Sequence, residues 1–487
     1  MFQFYPFPPR RLLTVRLSRQ KLLALLPVMF LFTACASFNI DQATQTVNQA
    51  YPEFTQGQLA LAADADQQRS RQNQAQEILQ QPLALTQAAA VQLALLNSPA
   101  LQALLAQQQA DGADTEQSAR IANPLLTFDR NHMPGELELG RMLSFGLLDL
   151  LSLAQRQNLA QRKLSQGQTQ LSLDVIERVG QVRAAWVKAV AAQQSLEYAK
   201  QVTDAADASA ELAERMRKAG NFNALQAARQ QAFQADAVAQ LSMARHVNLS
   251  MREELVRLLG LNEAQEKILK LPERLPDLPD TPRTPESISS FATKNRLDIR
   301  LAQQELDTTA QRQGLDLVSS FTDIELGVRR DTIFDEAGKG VVKRGVEVSV
   351  RLPVFDWGDQ QRTAMNASTL AASYRLQDTV NNAASHLRVS YSAYRSSYDI
   401  ARQYRDEILP LRKRISTENQ LRYNGMFISV FELLADSREQ INSVLAAINA
   451  EQQFWLADAA LQAELVGKPS ASSLTPQKSS AISDAAH

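Results

Sequence analysis

The chain has 487 residues, with 51 basic against 52 acidic side chains, so it carries neither the basic excess of a nucleic-acid binder nor an acidic solvating tract. Glycine (17) and proline (18) are scarce, aromatics make up 6%, and Ala, Gln and Leu abound, which favours long packed helices over an all-β or α/β enzyme core. Four scattered histidines form no metal-ligand pair, and no phosphate loop, dinucleotide fingerprint or Gly-x-Ser-x-Gly occurs, so neither an enzyme nor a bound cofactor or metal is expected.

The N-terminus carries Arg10, Arg11, Arg16, Arg19 and Lys21, then the apolar run LLALLPVMFLF, then Thr33-Ala34-Cys35. A charged stretch before about eleven apolar residues is an export signal, too short for a permanent span of roughly 20. Residues 31–35 (LFTAC) resemble a bacterial lipoprotein signal, with Phe32 where leucine is usual. That resemblance implies cleavage after residue 34 and lipidation of Cys35, the only cysteine, leaving no free thiol in the mature chain. Aspartate after the cysteine marks retention in the inner membrane; here Ala36 follows, which implies the outer membrane.

From residue 85 the chain repeats itself at a period of about 200 residues. LALLNSPALQALLAQQQADGA (from Leu93) matches FATKNRLDIRLAQQELDTTA (from Phe291), LSFGLLD (from Leu143) matches VRLPVFD (from Val350), and the turn at Gly220 aligns with the turn at Gly425. Each unit reads helix, strand, turn, strand, very long helix, tight turn, return helix. The strand runs are 123–130 and 136–145, joined at Pro134-Gly135, then 321–330 and 346–352, joined by a loop containing DEAGKG. Leu137, Leu139, Leu143 and Phe145 alternate with Glu136, Glu138 and Ser144, and Ile324, Leu326 and Val328 with Glu325 and Arg329. Such a pattern fits a barrel wall between lipid and water, and equally a half-buried sheet.

Helix length decides between them. From Asp149 to Gly220, and again from Asp356 to Gly425, only Pro410 interrupts a run that at 1.5 Å per residue reaches about 100 Å. Two shorter pieces stack as the return leg, and the proline-rich LPERLPDLPDTPRTP (from Leu271) crosses the surface between them. No compact domain requires helices of that length, whereas a tube crossing a periplasm does.

These landmarks resemble the TolC-like outer-membrane efflux protein family: the signal at Cys35, Asn97-Ser98-Pro99, Asn123-Pro124, PVFDWG (from Pro353), the turns at Gly220 and Gly425, and YNG…FELLAD (from Tyr423). The resemblance covers residues 85 to 467. It departs at SFGLLDLL, which lacks the proline and second glycine of the later corner, and before Ser429, where one residue is extra. It implies a mainly α fold with a small β part: long helical hairpins forming a trimeric α-barrel continuous with a transmembrane β-barrel, four strands per chain and twelve in all. By resemblance Pro353, Phe355, Asp356, Trp357 and Gly358 turn strand into tunnel, the two aromatics lying in an interfacial girdle.

The implied organisation is a signal peptide (1–34), a lipidated segment (35–84), a first repeat (85–262), a Pro-rich connector (263–286), a second repeat (287–467) and a flexible tail (468–487). The implied partners are two further copies, outer-membrane lipid, a periplasmic adaptor and an inner-membrane pump. The tips at Gly220 and Gly425 become the periplasmic end. Glu432 and Asp436 would ring a narrow entrance, where the family often has two aspartates, and Arg217 and Arg422 would hold it shut; the alternative is that all four are solvated charges. Phe222, Met426, Phe427 and Ile428 suit an adaptor contact or a coiled-coil core. The implied function is a passive exit duct for solutes delivered by a pump, with a type I protein-secretion duct and a structural lipoprotein without a pore as alternatives.

Overall fold

A computed structural model describes residues 38–284, 296–319, 324–335, 337–352, 354–355 and 357–468. The expected signal peptide, Cys35, Pro353, Asp356 and nearly all of the tail lie outside them. The chain divides into two units, 1–39 and 40–487, and the description below concerns the second.

Four helices precede the first strand pair's own lead-in: α1 (Ile40–Ala50), α2 (Pro52–Thr55), α3 (Ala65–Gln80) and α4 (Gln87–Asn97), after which α5 (Pro99–Ser118) leads to β1 (Leu125–Met133) and β2 (Glu136–Gly146). A short α6 (Leu147–Leu151) enters α7 (Leu153–Lys218), which turns into α8 (Ala224–Leu259) and a short α9 (Glu263–Ile268). The second repeat follows as α10 (Leu297–Ser319), β3 (Ile324–Asp335), β4 (Gly340–Val350), α11 (Asp359–Gln403), a π turn (Tyr404–Ile408), α12 (Leu409–Asn424) and α13 (Val430–Leu465). β4 begins six residues earlier than the expected 346, so the hairpin closes tightly and the ends of the polar DEAGKG stretch, Asp335 and Gly340, belong to the strands.

The helix α7 has 66 residues, about 100 Å at 1.5 Å each. The run 359–424 equals it in length despite Pro410. Proline has no N–H and its ring collides with the carbonyl four residues back; the π turn at Tyr404–Ile408 absorbs that misfit, so the helix continues past Pro410. Both hairpins fold back on themselves, α8 along α7 and α13 along α11 and α12, and α13 also packs on α7, which lays the repeats side by side.

Packing concentrates at the waist. Along α7 from Leu171 to Ala192 buried residues occur on every face (among them Val175, Ile176, Val179, Val182, Ala185, Trp186 and Val190) because α4, α10 and α13 surround it there. Alanine on these faces lets the helices approach closely, which is why so few aromatics suffice. Trp186 donates its Nε1–H to the Leu85 carbonyl at 2.8 Å. The segment before residue 85 is folded against this waist: Phe54 is buried and lies 4.9 Å beneath the Arg183 guanidinium, which also donates to Gln462 at 2.6 Å.

Asn97-Ser98-Pro99 is a joint. Pro99 starts α5 after a 52° bend from α4, and Asn97 Nδ2 donates to the Gly260 carbonyl at 2.6 Å. Gly260 is left-handed (φ 69°) as it ends α8, and a Cβ there would stand 2.6 Å from Pro99 Cδ, so only glycine fits. The second repeat builds the same joint where Gly467 ends the return leg against Asp298 at the start of α10.

The proline-rich connector lies on the second hairpin. Tyr398 Oη donates to the Pro279 and Asp280 carbonyls (3.0 and 3.1 Å), Trp455 Nε1 to the Pro276 carbonyl (3.0 Å), and the Arg283 N–H donates to Tyr394 Oη (3.2 Å). An extended proline-rich backbone has no helical partners for its carbonyls, and these side chains satisfy them. Phe454 fills the centre, 5.6 Å from both tyrosine rings and fully buried. Phe454→Ala is therefore expected to destabilise the waist by about 3–5 kcal/mol and to open Arg274 and Arg283 to trypsin, read by thermal melting and limited proteolysis of the purified chain.

Candidate pore wall, corner and helix tips

The four strands form one antiparallel sheet in the order β1-β2-β3-β4. Its middle pairing joins the repeats, with Gly140 opposite Asp331 and Leu143 opposite Val328. Within this chain β1 and β4 each keep one unpaired edge, and β4 is exposed along its whole length. The two faces differ as the alternation predicts. Leu126, Leu143, Val328 and Val346 form one cross-strand row, exposed up to 72% at Val346. The next face over is crowded and polar: Ser144 and Asp331 are only 5% and 4% exposed, and Arg329 Nε reaches both Asp331 oxygens at 2.9 Å with Asp129 3.9 Å away.

At the corner after β4, Phe355 is 100% exposed and Trp357 is largely so, and left-handed Gly358 precedes α11 while Arg362 donates to the Trp357 carbonyl at 3.0 Å. The first repeat turns without a proline. Gly146 passes directly into α6, and Arg156 holds the corner through Asp149 (ion pair 3.7 Å, carbonyl 3.2 Å).

The two hairpin tips are built alike but not at the residues the sequence alignment paired. In the first, Asn221 N–H bonds the Met216 carbonyl (2.9 Å) around left-handed Gly220, and Asn223 caps α8 in a reciprocal box with Gln226. In the second, Phe427 N–H bonds the Arg422 carbonyl (2.8 Å), and Ser429 caps α13 at Glu432. The left-handed residue is Met426 (φ 60°), whereas Gly425 has φ −80°. Gly220 thus corresponds to Met426, which accounts for the extra residue before Ser429. At Gly425 the exposed Phe427 ring lies over the backbone, 2.8 Å from where a Cβ would stand.

The charges expected at the entrance are dispersed. Glu432 is exposed in the first turn of α13, where the helix dipole favours a carboxylate. Asp436 is 9% exposed, and its Oδ2 has no hydrogen-bond partner among the described residues. Arg217 does not reach either acid; it grips Glu214 on its own helix with two 2.8 Å bonds, which hold its pKa up and that of Glu214 down. Arg422 makes no ion pair among the described residues, and its carbonyl closes the turn. Phe222 is core, while Met426 and Phe427 are exposed (93% and 80%). Among the described residues no three His, Cys, Asp or Glu gather as a metal site, and no single helix is long and apolar enough to cross a membrane, which says nothing of a β-barrel.

No family model matches the sequence, and no curated protein does. Solved structures do. The Campylobacter jejuni CmeC outer membrane channel superposes with a TM-score of 0.66 at 15% identity, over 78% of this chain and 85% of that one. The outer membrane protein VceC of Vibrio cholerae gives 0.63 at 14% identity, over 83% and 99%. The open state of the Neisseria gonorrhoeae MtrE outer membrane channel gives 0.60 at 18% identity, over 79% and 90%. The fold of this chain is the outer-membrane channel fold.

Within this channel fold one residue that sequence reasoning missed ties the hairpins together near their tips. Arg438 of α13 donates to the Arg229 carbonyl (3.3 Å) and Gln230 Oε1 (3.2 Å) of α8, with its guanidinium 4.3 Å over the Phe233 ring. Burial pushes its pKa down, countered by Asp236. A lone arginine on a long helix gives no signal in the sequence, since its partners are some 200 residues away in the other repeat.

Two outcomes follow for the tips. Met426→Gly is expected to stabilise the second tip by about 1 kcal/mol, because it relieves a left-handed side-chain-bearing residue; a rise in melting temperature checks it. Arg438→Ala is expected to weaken the α8–α13 contact by about 1.5–3 kcal/mol, read as roughly tenfold or faster hydrogen exchange around Gln230.

Proposed function

We propose that this chain is a member of the TolC-like outer-membrane efflux family, and one third of an exit duct through which toxic solutes leave the cell passively. The observation that carries the reading is the sheet: four strands, apolar on one face and polar on the other, with two open edges, standing at the end of hairpins about 100 Å long. Four strands cannot close a barrel, and open edges cannot stand in lipid. Three copies pairing β4 of one with β1 of the next make a closed twelve-stranded wall, with the polar face as the lumen and the long helices continuing it across the periplasm.

In this assembly Cys35 carries the lipid anchor. The corner aromatics Phe355 and Trp357 sit at the periplasmic interface, and the tips at Gly220 and Gly425 receive the adaptor of an inner-membrane pump that supplies the energy. Exposed Met426 and Phe427 are the contact surface, and the strain at Met426 is consistent with a tip shaped for docking rather than for stability. Glu432 and Asp436, each present three times, line the entrance, with Arg422 and Arg217 flanking it as charges of the tip; the bonds of Arg217 to Glu214 make it a brace of its own helix rather than a bolt across the opening.

A strain lacking this chain, challenged with toxic metal ions on one side and dyes, detergents and antibiotics on the other, tests the reading. Hypersensitivity to either panel is expected, restored by the wild-type chain but not by one lacking residues 137–145. Normal susceptibility with impaired protein secretion would move the duct to the type I secretion class, and no phenotype of either kind would overturn the duct.

A further inference from the structure

The two faces of the sheet sort charge completely. Seven carboxylates belong to the four strands, and alternation together with the register places all seven on the face that carries Ser144 and Asp331. Asp129 stands opposite Gly140, and Gly140 opposite Asp331; Glu136 is opposite Asp335, Glu138 opposite Asn131, and Glu325 opposite Ser349. Glu347 completes the row of Ser144 and Gly327. The bases of this face are Arg329 and Lys343, and even with Arg351, one residue past β4, counted on the same side, acids outnumber bases seven to three. The opposite face holds Arg130, Arg141, Arg330 and Arg344 and no acid at all.

Only part of the acidic charge is neutralised within the chain. Arg329 is held by Asp331, both of whose oxygens it reaches at 2.9 Å, and by Asp129 at 3.9 Å. Asp335 accepts the Lys339 N–H at 2.7 Å in the hairpin turn. Glu136, Glu138, Glu325 and Glu347 make no ion pair among the described residues, and Glu136, Glu325 and Glu347 are exposed. On an open surface such carboxylates are screened one by one. In the proposed assembly they face one another across an enclosed lumen.

The size of that lumen decides whether the charge matters. Twelve strands about 4.8 Å apart and tilted by about 40° close at a backbone radius of about 12 Å. Carboxylates reaching inward from such a wall come within about one Debye length of the axis, about 8 Å at physiological ionic strength. No path through the lumen then escapes their field, which walls of low dielectric concentrate further. Rings of acidic side chains in a water-filled pore draw cations and repel anions.

From this we infer that Glu136, Glu138, Glu325 and Glu347 make the strand-built end of the duct selective for cations, so that its cargo leaves most readily as positively charged solutes. The inference rests on the reading of the polar face as the lumen. It also discriminates between the faces, because the opposite assignment has the opposite sign: a lumen lined by the other face would present arginines alone and pass anions.

The purified full-length chain in planar bilayers, with a potassium chloride gradient across them, gives the test through its reversal potential. Wild type is expected to pass potassium over chloride by about tenfold, the low end for a charged cleft, and to lose that preference toward about 1 M salt, where the Debye length is about 3 Å. Glu136→Gln/Glu138→Gln/Glu325→Gln/Glu347→Gln is expected to abolish most of it, while Arg330→Gln/Arg344→Gln on the opposite face keeps it. No preference in wild type, a preference for chloride, or an unchanged one in a conducting fourfold variant overturns the inference. Where closed helix tips block the current, Ser349→Cys reads the same wall, since Ser349 is exposed beside Glu347 and opposite Glu325. Its thiol is expected to favour a cationic over an anionic methanethiosulfonate about tenfold more than a free thiol does, with wild type, whose single cysteine is Cys35, as the blank; a ratio equal to that of a free thiol overturns the inference. Protease protection of the strands in vesicles reports the duct separately: a chain that inserts without charge preference defeats only the selectivity, and one that inserts nowhere defeats the wall itself.

Discussion

Everything in this molecule depends on the two unpaired edges of a four-stranded sheet. A strand edge is a row of N–H and C=O groups, each needing a partner when water is absent, and a membrane supplies none. A soluble protein would cover such edges with a helix or interrupt them with charges and bulges. Here β4 is exposed from Gly340 to Val350, and one side of it carries Val342, Val346, Val348 and Val350, broken by Arg344. In the proposed assembly this strand is completed by another chain, and the same demand fixes the alternation of faces, since closing the wall leaves one side dry and the other wet.

The helices answer a different demand, that of reach. Each repeat spends 66 residues going one way, yet the two are not copies of each other in detail, because each solves its corners and turns with the residues it has. The later strand enters its helix through Gly358, the earlier one through Gly146 and an Arg156–Asp149 brace. Pro410 is carried by a π turn in one long run and has no counterpart in the other. What is preserved is length, and in the proposed duct length is what side-by-side hairpins must keep, since a mismatch of one turn would leave a tip out of plane by about 5 Å.

Much of this is legible in the sequence, and the exceptions have physical causes. The strands, the long helices and the side-by-side repeats follow from period, proline spacing and self-similarity, all of which are local or nearly so. The joint at Asn97-Ser98-Pro99 stands out as a motif, but its reason, contact with left-handed Gly260, spans 163 residues and emerges only in three dimensions. At the second tip Gly425 looks like the left-handed residue because glycine usually is, whereas the turn takes its positive φ at Met426 and uses the glycine to seat Phe427. Arg438 was invisible because it is defined by what lies across a helix boundary, in the other repeat, and composition cannot register that.

The two repeat joints show how a duplicated fold keeps its halves apart. In the first, a neutral amide, Asn97, bonds the end of the return helix. In the second, the corresponding turn carries Arg296, buried to 5% side-chain exposure, between Asp298 (2.6 Å) and Glu464 (3.1 Å), and it also donates to the Ala383 carbonyl at 3.3 Å. Burial drives the Glu464 carboxyl above its usual range, and Arg296 pulls it back. A buried ion pair adds little net stability over an apolar one, because desolvation offsets most of the attraction. Its value lies in the penalty for wrong partners: a return helix ending in Glu464 cannot dock at the Asn97 joint without burying an unpaired carboxylate, and at the α8 end Arg296 would meet Arg257, three residues before Gly260 as Glu464 is before Gly467. Two joints of nearly the same shape are thus kept distinct by charge.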